Sequence, residues 1–319
     1  MSQVSLGSWL TLGSRVHYGE TARLVHHAFD LGVNLFDTAD VYQDGEAEVA
    51  LGRAIASLPR SSTVVATKCF FPFSDRPNES GLSRKHVTES VEHSLRRLDV
   101  ERIDLHQCHR FDPDTPLEET IRTYDDLIRQ GKVLYWGVSQ WKPEQISAAC
   151  ELADAIGATR PISNQPEYSI LSRGIERGVI PTSRQEGLSQ IVFSPLAQGV
   201  LTGKYSGGRV PEQSRASDPK RNRWMGIALD ADILDRVDRL VPLADGLGVS
   251  LAQLALAWCL RETNVASVII GATRPEQLEE NVKAAGLAIP DDVALEIDRL
   301  FPARSAATPD VPDSVSGLQ

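Results

Sequence analysis

Strand-like and helix-like segments alternate along the whole chain, and that alternation constrains the fold more than any other feature. Short apolar runs fall at Val4–Leu6, Val33–Phe36, Thr63–Thr67, Ile103–Cys108, Val133–Val138, Ile162–Gln165, Gln190–Phe193 and Ser267–Ile270. Stretches with helical spacing lie between them, at Glu20–Leu31, Ala47–Ser57, Arg84–Arg97, Leu117–Arg129, Pro143–Ala155, Gly174–Glu186, Ile233–Asp245 and Leu251–Arg261. Two more, Pro275–Ala285 and Asp291–Leu300, follow the last strand. Eight strand–helix units in one run predict an α/β fold, a (β/α)8 TIM barrel with extra C-terminal helices, over a doubly wound sheet. Ser83 ahead of Arg84, and Pro116, Pro143 and Pro275 at first-turn positions, suit the starts of those helices. No composition break marks a linker, so residues 1–319 are expected to form one domain, with a long irregular loop at about 199–228 and a polar tail at about 303–319.

The apolar fraction of 41% is enough for a substantial core, and a net charge of −10 argues against a nucleic-acid partner. The longest apolar stretch, Val249–Leu260, is too short to cross a bilayer, and no basic segment followed by an apolar one opens the chain. Membrane insertion and secretion are therefore not expected. Cys69, Cys108, Cys150 and Cys259 show no spacing of a disulfide framework, which points to the reducing cytoplasm. Cys69 and Cys108 adjoin two residues singled out below, so their oxidation is expected to touch activity.

Asp37, Tyr42, Lys68 and His109 each sit at or just past the end of a strand-like run. In parallel barrels, chemistry gathers at the carboxyl ends of strands, and these four belong to strands two, three and four. A phenol is too weak an acid for proton donation at neutral pH, and a neighbouring ammonium lowers its pKa. Asp37 is placed to hold Lys68 protonated, and His109 to stabilise the oxygen on which charge develops. Together they suit hydride addition to a carbonyl with Tyr42 giving the proton. Each has a plainer role taken alone: a helix cap, a packed aromatic, a solvent-seeking lysine, a structural histidine. Only joint placement favours catalysis. His106, Cys108 and His109 are close in sequence, but alternation sends Cys108 and His109 to opposite faces, and no metal site is expected. Between residues 204 and 223, Lys204, Arg209, Arg215, Lys220, Arg221 and Arg223 face only Glu212 and Asp218, a basic island suited to a phosphorylated ligand or simply to a solvated loop.

These residues resemble the aldo-keto reductase family. Phe36-Asp37-Thr38-Ala39-Asp40-Val41-Tyr42 with Gly45-Glu46 and Leu51-Gly52 is similar to its second-strand signature, Thr67-Lys68 to its lysine, and His109-Arg110 with Asp112-Pro113 to its histidine region. Gly137-Val138-Ser139, Asn164-Gln165-Pro166, Ser194-Pro195-Leu196 through Tyr205, and Ile270-Gly271-Ala272-Thr273 continue the likeness over nearly the whole chain. The branch it is most similar to includes potassium-channel β-subunits and bacterial reductases. The resemblance implies a barrel that binds NADP(H) without a Rossmann motif, and the chain has no GxGxxG. It implies Asp37, Tyr42, Lys68 and His109 as the catalytic set. Ser139, Gln140 and Gln165 would hold the nicotinamide carboxamide and Phe193 would stack on the ring, with Ser8 and Trp9 nearby. Ser194, Pro195, Leu196 and Gln198 would line the pyrophosphate, with Lys204 and Arg215 over it. Gly271, Thr273, Arg274, Gln277, Glu280 and Asn281 would hold the adenosine end, and Arg274 would favour NADPH over NADH.

Against that pattern, the chain begins almost at its first strand, so the N-terminal hairpin that plugs the barrel floor in relatives is expected to be missing. Loss of the plug is expected to expose core or to invite homo-oligomers. Phe193 stands where tryptophan or tyrosine is common, and Gln140 where asparagine or arginine is usual. The first functional reading is an NADPH-dependent carbonyl reductase. Trp9, Phe70, Phe71, Trp141 and Trp224, in or near strand-end loops, predict small-molecule carbonyl substrates with an apolar body. The alternative is an NADP(H)-binding, redox-sensing channel subunit with incidental turnover, against which His109 weighs because channel-subunit relatives carry asparagine there. A phosphate-binding lyase or isomerase barrel would leave the Gly-Val-Ser and Ser-Pro-Leu blocks unexplained.

Overall fold

The computed structural model describes residues 1–303 except 14, 15, 17, 75, 213, 219–221, 223 and 224, and at 226 and 227 the backbone alone. Lys220, Arg221, Arg223, Trp224 and the tail from 304 onward therefore lie outside the described residues.

Eight strands, β1 (Val4–Gly7), β2 (Leu35–Asp37), β3 (Val64–Cys69), β4 (Ile103–Cys108), β5 (Val133–Ser139), β6 (Ser163–Gln165), β7 (Ser189–Val192) and β8 (Val265–Ile270), close into a barrel in sequence order. Every pairing is parallel, including β1 with β8. The helices between and after them are α1 (Tyr18–Asp30), α2 (Glu46–Ile55), α3 (Arg84–Leu98), α4 (Leu117–Arg129), α5 (Pro143–Ala155), α6 (Val179–Glu186), α7 (Ala231–Asp238), α8 (Val241–Gly246), α9 (Leu251–Leu260), α10 (Pro275–Asn281) and α11 (Asp291–Leu300). The (β/α)8 architecture read from alternation is the one observed. Among the described residues no single helix is long and apolar enough to cross a membrane.

Side chains on a strand alternate between the bore and the helix layer. Leu35, Ala66, Leu105, Ile191 and Ile269 form a small apolar cluster of their own inside the bore, with Val64 and Phe193 against it. The far larger core lies between strands and helices and takes in Tyr124, Trp136, Trp141 and Trp258. Tyr124 stacks on Trp136 with ring centres 4.8 Å apart, and burying each such ring contributes roughly 1.5–3 kcal/mol. Because the period is two, Asp37 follows Leu35, Lys68 follows Ala66 and Phe193 follows Ile191 on the bore face. Those three therefore sit at the top of the bore, above its apolar filling.

Three predicted helices are broken. Ile233–Asp245 splits into α7 and α8, since Pro242 has no N–H to carry the ladder through that turn. Gly174–Glu186 divides at Gly178 into a 3₁₀ turn and α6; a Cβ on Gly178 would stand 2.8 Å from the Pro143 ring, so the close approach of α5 selects glycine there. Pro275–Ala285 ends its α-helical part at Asn281 and finishes as a 3₁₀ turn. Ser83 does cap α3, its hydroxyl accepting from the His86 N–H at 3.3 Å. Asp298 on α11 pairs with Arg173 at 2.7 Å, which ties the last helix to the loop after β6.

Candidate active site

Strand register brings three of the four candidate catalytic residues into one corner. Lys68 Nζ donates to Asp37 Oδ2 at 2.8 Å and to the Thr38 carbonyl, with Lys68 wholly buried. Gln165, 128 residues away in sequence from Asp37, donates from Nε2 to the other carboxylate oxygen at 2.9 Å. Ser139 braces Gln165 in turn, its hydroxyl donating to the Gln165 carbonyl at 2.8 Å. Tyr42 arrives from the turn after β2, where Gln43 and Asp44 hold left-handed backbone at φ 53° and 54°. Its ring centre stands 5.1 Å from Lys68 Nζ and 5.7 Å from the His109 ring.

Burial raises the Tyr42 pKa, and although Lys68 and Arg110 pull it back, the net direction is upward. The lowering expected from Lys68 is real but smaller than the desolvation it opposes, and the phenol keeps its proton at neutral pH. Burial also opposes the charge on Lys68, yet Asp37 and Tyr42 outweigh it and the ammonium is held protonated. Burial, then the cations Lys68 and Arg110, drives His109 well below the usual histidine range, so its imidazole is neutral. A neutral imidazole still donates one N–H. The corner thus holds a protonated phenol, a locked ammonium and a neutral imidazole around one point.

That point opens into a cleft of about 800 Å³ that runs from Asp37, Tyr42 and His109 past Ser139, Gln165 and Phe193 to the loops after β7 and β8. Trp9, Ser194, Pro195, Leu196, Gln198, Lys204, Arg215, Gly271, Thr273, Arg274, Gln277, Glu280 and Asn281 complete the part of the lining expected from sequence. Two candidates lie elsewhere. Ser8 is fully buried and donates to the Thr38 hydroxyl at 2.8 Å. Gln140 turns away at φ 59° and accepts the Glu167 N–H at 3.2 Å, bracing the loop after β6.

The wall after β7 is made of tight turns. Ser194, Ala197 and Gln198 all have positive φ, and the Gln198 amide donates to the Ser194 hydroxyl at 3.1 Å. Gly199, at φ +94°, lets the Lys204 ammonium lie where a Cβ would collide with it. Arg215 stacks over Trp9 with its guanidinium 5.4 Å from the ring centre. At the far end the Thr273 N–H donates to Gln277 Oε1 at 2.8 Å. Lys204, Arg215 and Arg274 bring positive charge to the cleft, which Glu20, Glu212 and Glu280 also line, and cations so placed can grip the phosphates of an extended ligand.

The expected apolar pocket is not built from the aromatics proposed for it. Trp141 is core, edge-on to Phe111 at 4.9 Å. Phe70 and Phe71 pack on each other at 5.4 Å, off the lining; of the described candidates only Trp9 reaches the cleft. Neither Thr38, which holds Lys68 through its carbonyl, nor Arg110, which lines the cleft beside His109, was singled out by sequence. The first acts through backbone and leaves no side-chain signal. The second adjoins His109, so its position alone offered one. Cys108 points into the helix layer and His109 into the cleft. Among the described residues, no group of three or more His, Cys, Asp or Glu is arranged to hold a metal ion.

A sequence profile described as the aldo/keto reductase family matches residues 3–301. A protein of Arabidopsis thaliana named "Probable voltage-gated potassium channel subunit beta" is 42% identical over 303 residues, covering 94% of this chain and 92% of that protein. One of Oryza sativa subsp. japonica with the same name is 44% identical over 287 residues, covering 89% and 87%. A Schizosaccharomyces pombe protein named for the same subunit is 40% identical over 295 residues, covering 89% and 84%.

Proposed function

Because this chain belongs to the aldo/keto reductase family, an oxidoreductase family, we propose that it reduces aldehydes or ketones to alcohols with NADPH, and that Tyr42 is the general acid. The observation that carries the reading is the buried corner in which Lys68 pairs with Asp37 at 2.8 Å and stands 5.1 Å from the centre of the Tyr42 ring, at the mouth of the cleft. The cleft fits the cofactor: the polar side chains of Gln165 and Ser139 line it near the corner, and Lys204, Arg215 and Arg274 supply positive charge for phosphates at the other end. When bound there, the dinucleotide supplies hydride to the carbonyl carbon.

The protein's own residues do the rest. Tyr42 gives its proton to the carbonyl oxygen as negative charge builds on it, and Lys68, fixed by Asp37 and the Thr38 carbonyl, stabilises the phenolate left behind. His109 donates a hydrogen bond to the same oxygen from a neutral ring, so it adds no second charge beside Lys68. The phenolate then recovers a proton from water. Purified protein is expected to oxidise NADPH with a panel of aldehydes and ketones. Tyr42→Phe should lower turnover by about 10²–10⁴, with NADPH affinity by protein fluorescence changed less than about twofold. Retained turnover removes Tyr42 from this role.

The names of the relatives favour a second reading, a β-subunit of a potassium channel, for which we propose a bound NADP(H) that senses redox state. Turnover separates the two: a dedicated reductase cycles steadily on its carbonyl substrate, and a sensing subunit retains its cofactor through at most slow turnover.

A further inference from the structure

Resting on that reading, we infer that Arg110 makes this site select carbonyl substrates that carry an anionic group, a carboxylate above all. Arg110 lines the same cleft as Asp37, Tyr42 and His109. Its Nη1 donates to the His109 carbonyl at 2.6 Å, and its guanidinium lies 5.3 Å from the centre of the Phe71 ring, which is itself edge-on to His109 at 4.9 Å. The planar group is therefore held by a backbone hydrogen bond and an aromatic face, and it is only partly buried. Its charge is felt at both the Tyr42 phenol and the His109 ring, so it stands close to where the carbonyl oxygen must sit.

Topology separates Arg110 from the other cations of the cleft. Lys204 and Arg215 follow β7 and Arg274 follows β8, whereas Arg110 follows β4. In a closed barrel of eight strands in sequence order, β4 and β8 are diametrically opposed. An extended ligand whose phosphates lie along the β7–β8 rim and whose reacting end reaches the corner cannot also place a phosphate at Arg110. Lys68 is committed to Asp37 and the Thr38 carbonyl. The cation on the β4 rim thus faces the substrate, and a fork of N–H donors matches a carboxylate. A carbonyl carbon two or three bonds from a carboxylate would place its oxygen at Tyr42 while the acid meets Arg110. Of the described aromatics proposed for an apolar wall, Trp9 alone reaches the cleft.

The test compares 4-oxobutanoate with its methyl ester, equal in reach and different in charge. The ratio of kcat/KM, acid over ester, is expected to exceed about 10 in the natural protein and to fall by about 10–100-fold in Arg110→Gln, the size of a charge-assisted hydrogen bond. A binding readout accompanies it: succinamate, an unreactive analogue, should bind the NADP⁺-saturated protein at least tenfold more tightly than neutral succinamide, and Arg110→Gln should erase that preference. A ratio near 1, or a preference that survives Arg110→Gln, overturns the inference while leaving carbonyl reduction intact. No NADPH oxidation with either aldehyde, or with the wider panel, defeats the reductase reading instead; a succinamate preference that vanishes in Arg110→Gln would even then support acid binding at Arg110.

Discussion

The corner at the top of the bore and the wall after β7 face the same cleft but are built in opposite ways. Asp37 and Lys68 stand on strands whose neighbours are fixed by the ladder, and each charged atom there has a short partner in a fully buried setting. Among its described residues the wall from Ser194 to Arg215 has no strand; it is built of turns, several at positive φ, with its cations stacked on Tyr205 and Trp9 at 5.2 and 5.4 Å. Rigid strands suit groups that must hold a transition state to within a fraction of an ångström. Turns, with N–H groups and flexible cations, suit the gripping and release of a long ligand. Damage to the corner should therefore appear in chemistry and stability, and damage to the wall in cofactor affinity.

The sharpest way to break that contrast is Lys68→Met. It leaves Asp37 buried against Gln165 alone, and losing one partner of a buried pair costs about 3–5 kcal/mol. Turnover should fall at least 100-fold, read from NADPH oxidation, and thermal unfolding should shift markedly downward. Adding Asp37→Asn to Lys68→Met should restore part of the stability and none of the activity. If the single variant unfolds like the natural protein, the Lys68–Asp37 pair does not hold the corner together.

A smaller effect is expected from Gly199→Ala. The methyl group meets the Lys204 ammonium at a residue with φ +94°, a strain of about 1 kcal/mol. The dissociation constant for NADPH should rise about tenfold by fluorescence titration, with kcat at saturating cofactor changed less than about twofold. A drop in kcat at unchanged affinity would merge the two regions into one.

The smallest effect concerns Asp40, which ties the Tyr42 turn to α3 by accepting from the Ser90 hydroxyl at 2.7 Å and the Val41 N–H at 2.7 Å. Burial, then Glu48, pushes its pKa up to about 7, with Arg97 opposing. A carboxyl raised in the folded state favours folding at low pH, and that contribution fades as pH rises from about 4 through 7. His106, lowered to about 3 by burial, and His109 act with the opposite sign and lose stability as pH falls below about 6.5. In the natural protein the two slopes partly cancel between pH 7 and 5. Asp40→Asn removes the first, so its unfolding midpoint should drop more steeply on acidification, by about 1–3 kcal/mol over that range. Parallel curves would show that Asp40 does not titrate there.

Much of this was legible in the chain. Alternation fixed the number and order of barrel strands, and the placing of Asp37, Tyr42, Lys68 and His109 at strand ends pointed to their common site. Both signals are local. The breaks were less visible: Pro242 lay in plain sight inside the predicted Ile233–Asp245 helix, but Gly178 needed the ring of Pro143, from another helix, to show why it is glycine. Trp141 looked like a pocket residue by its loop position and turned into the core instead, because a strand-end side chain can point either way and the chain itself does not say which.

What the amino-acid order determined by itself is the barrel and the presence at its rim of an acid, a phenol, an ammonium and an imidazole, since periodicity and strand boundaries depend on near neighbours. What only the tertiary structure decided is which groups meet. Gln165 joins Asp37 across 128 residues, desolvation outweighs Lys68 in setting the Tyr42 proton, and Arg110 faces the cleft across the barrel from Arg274. Partners, burial and the side of a ring on which a charge sits are properties of closure, and closure brings together residues that no local pattern links.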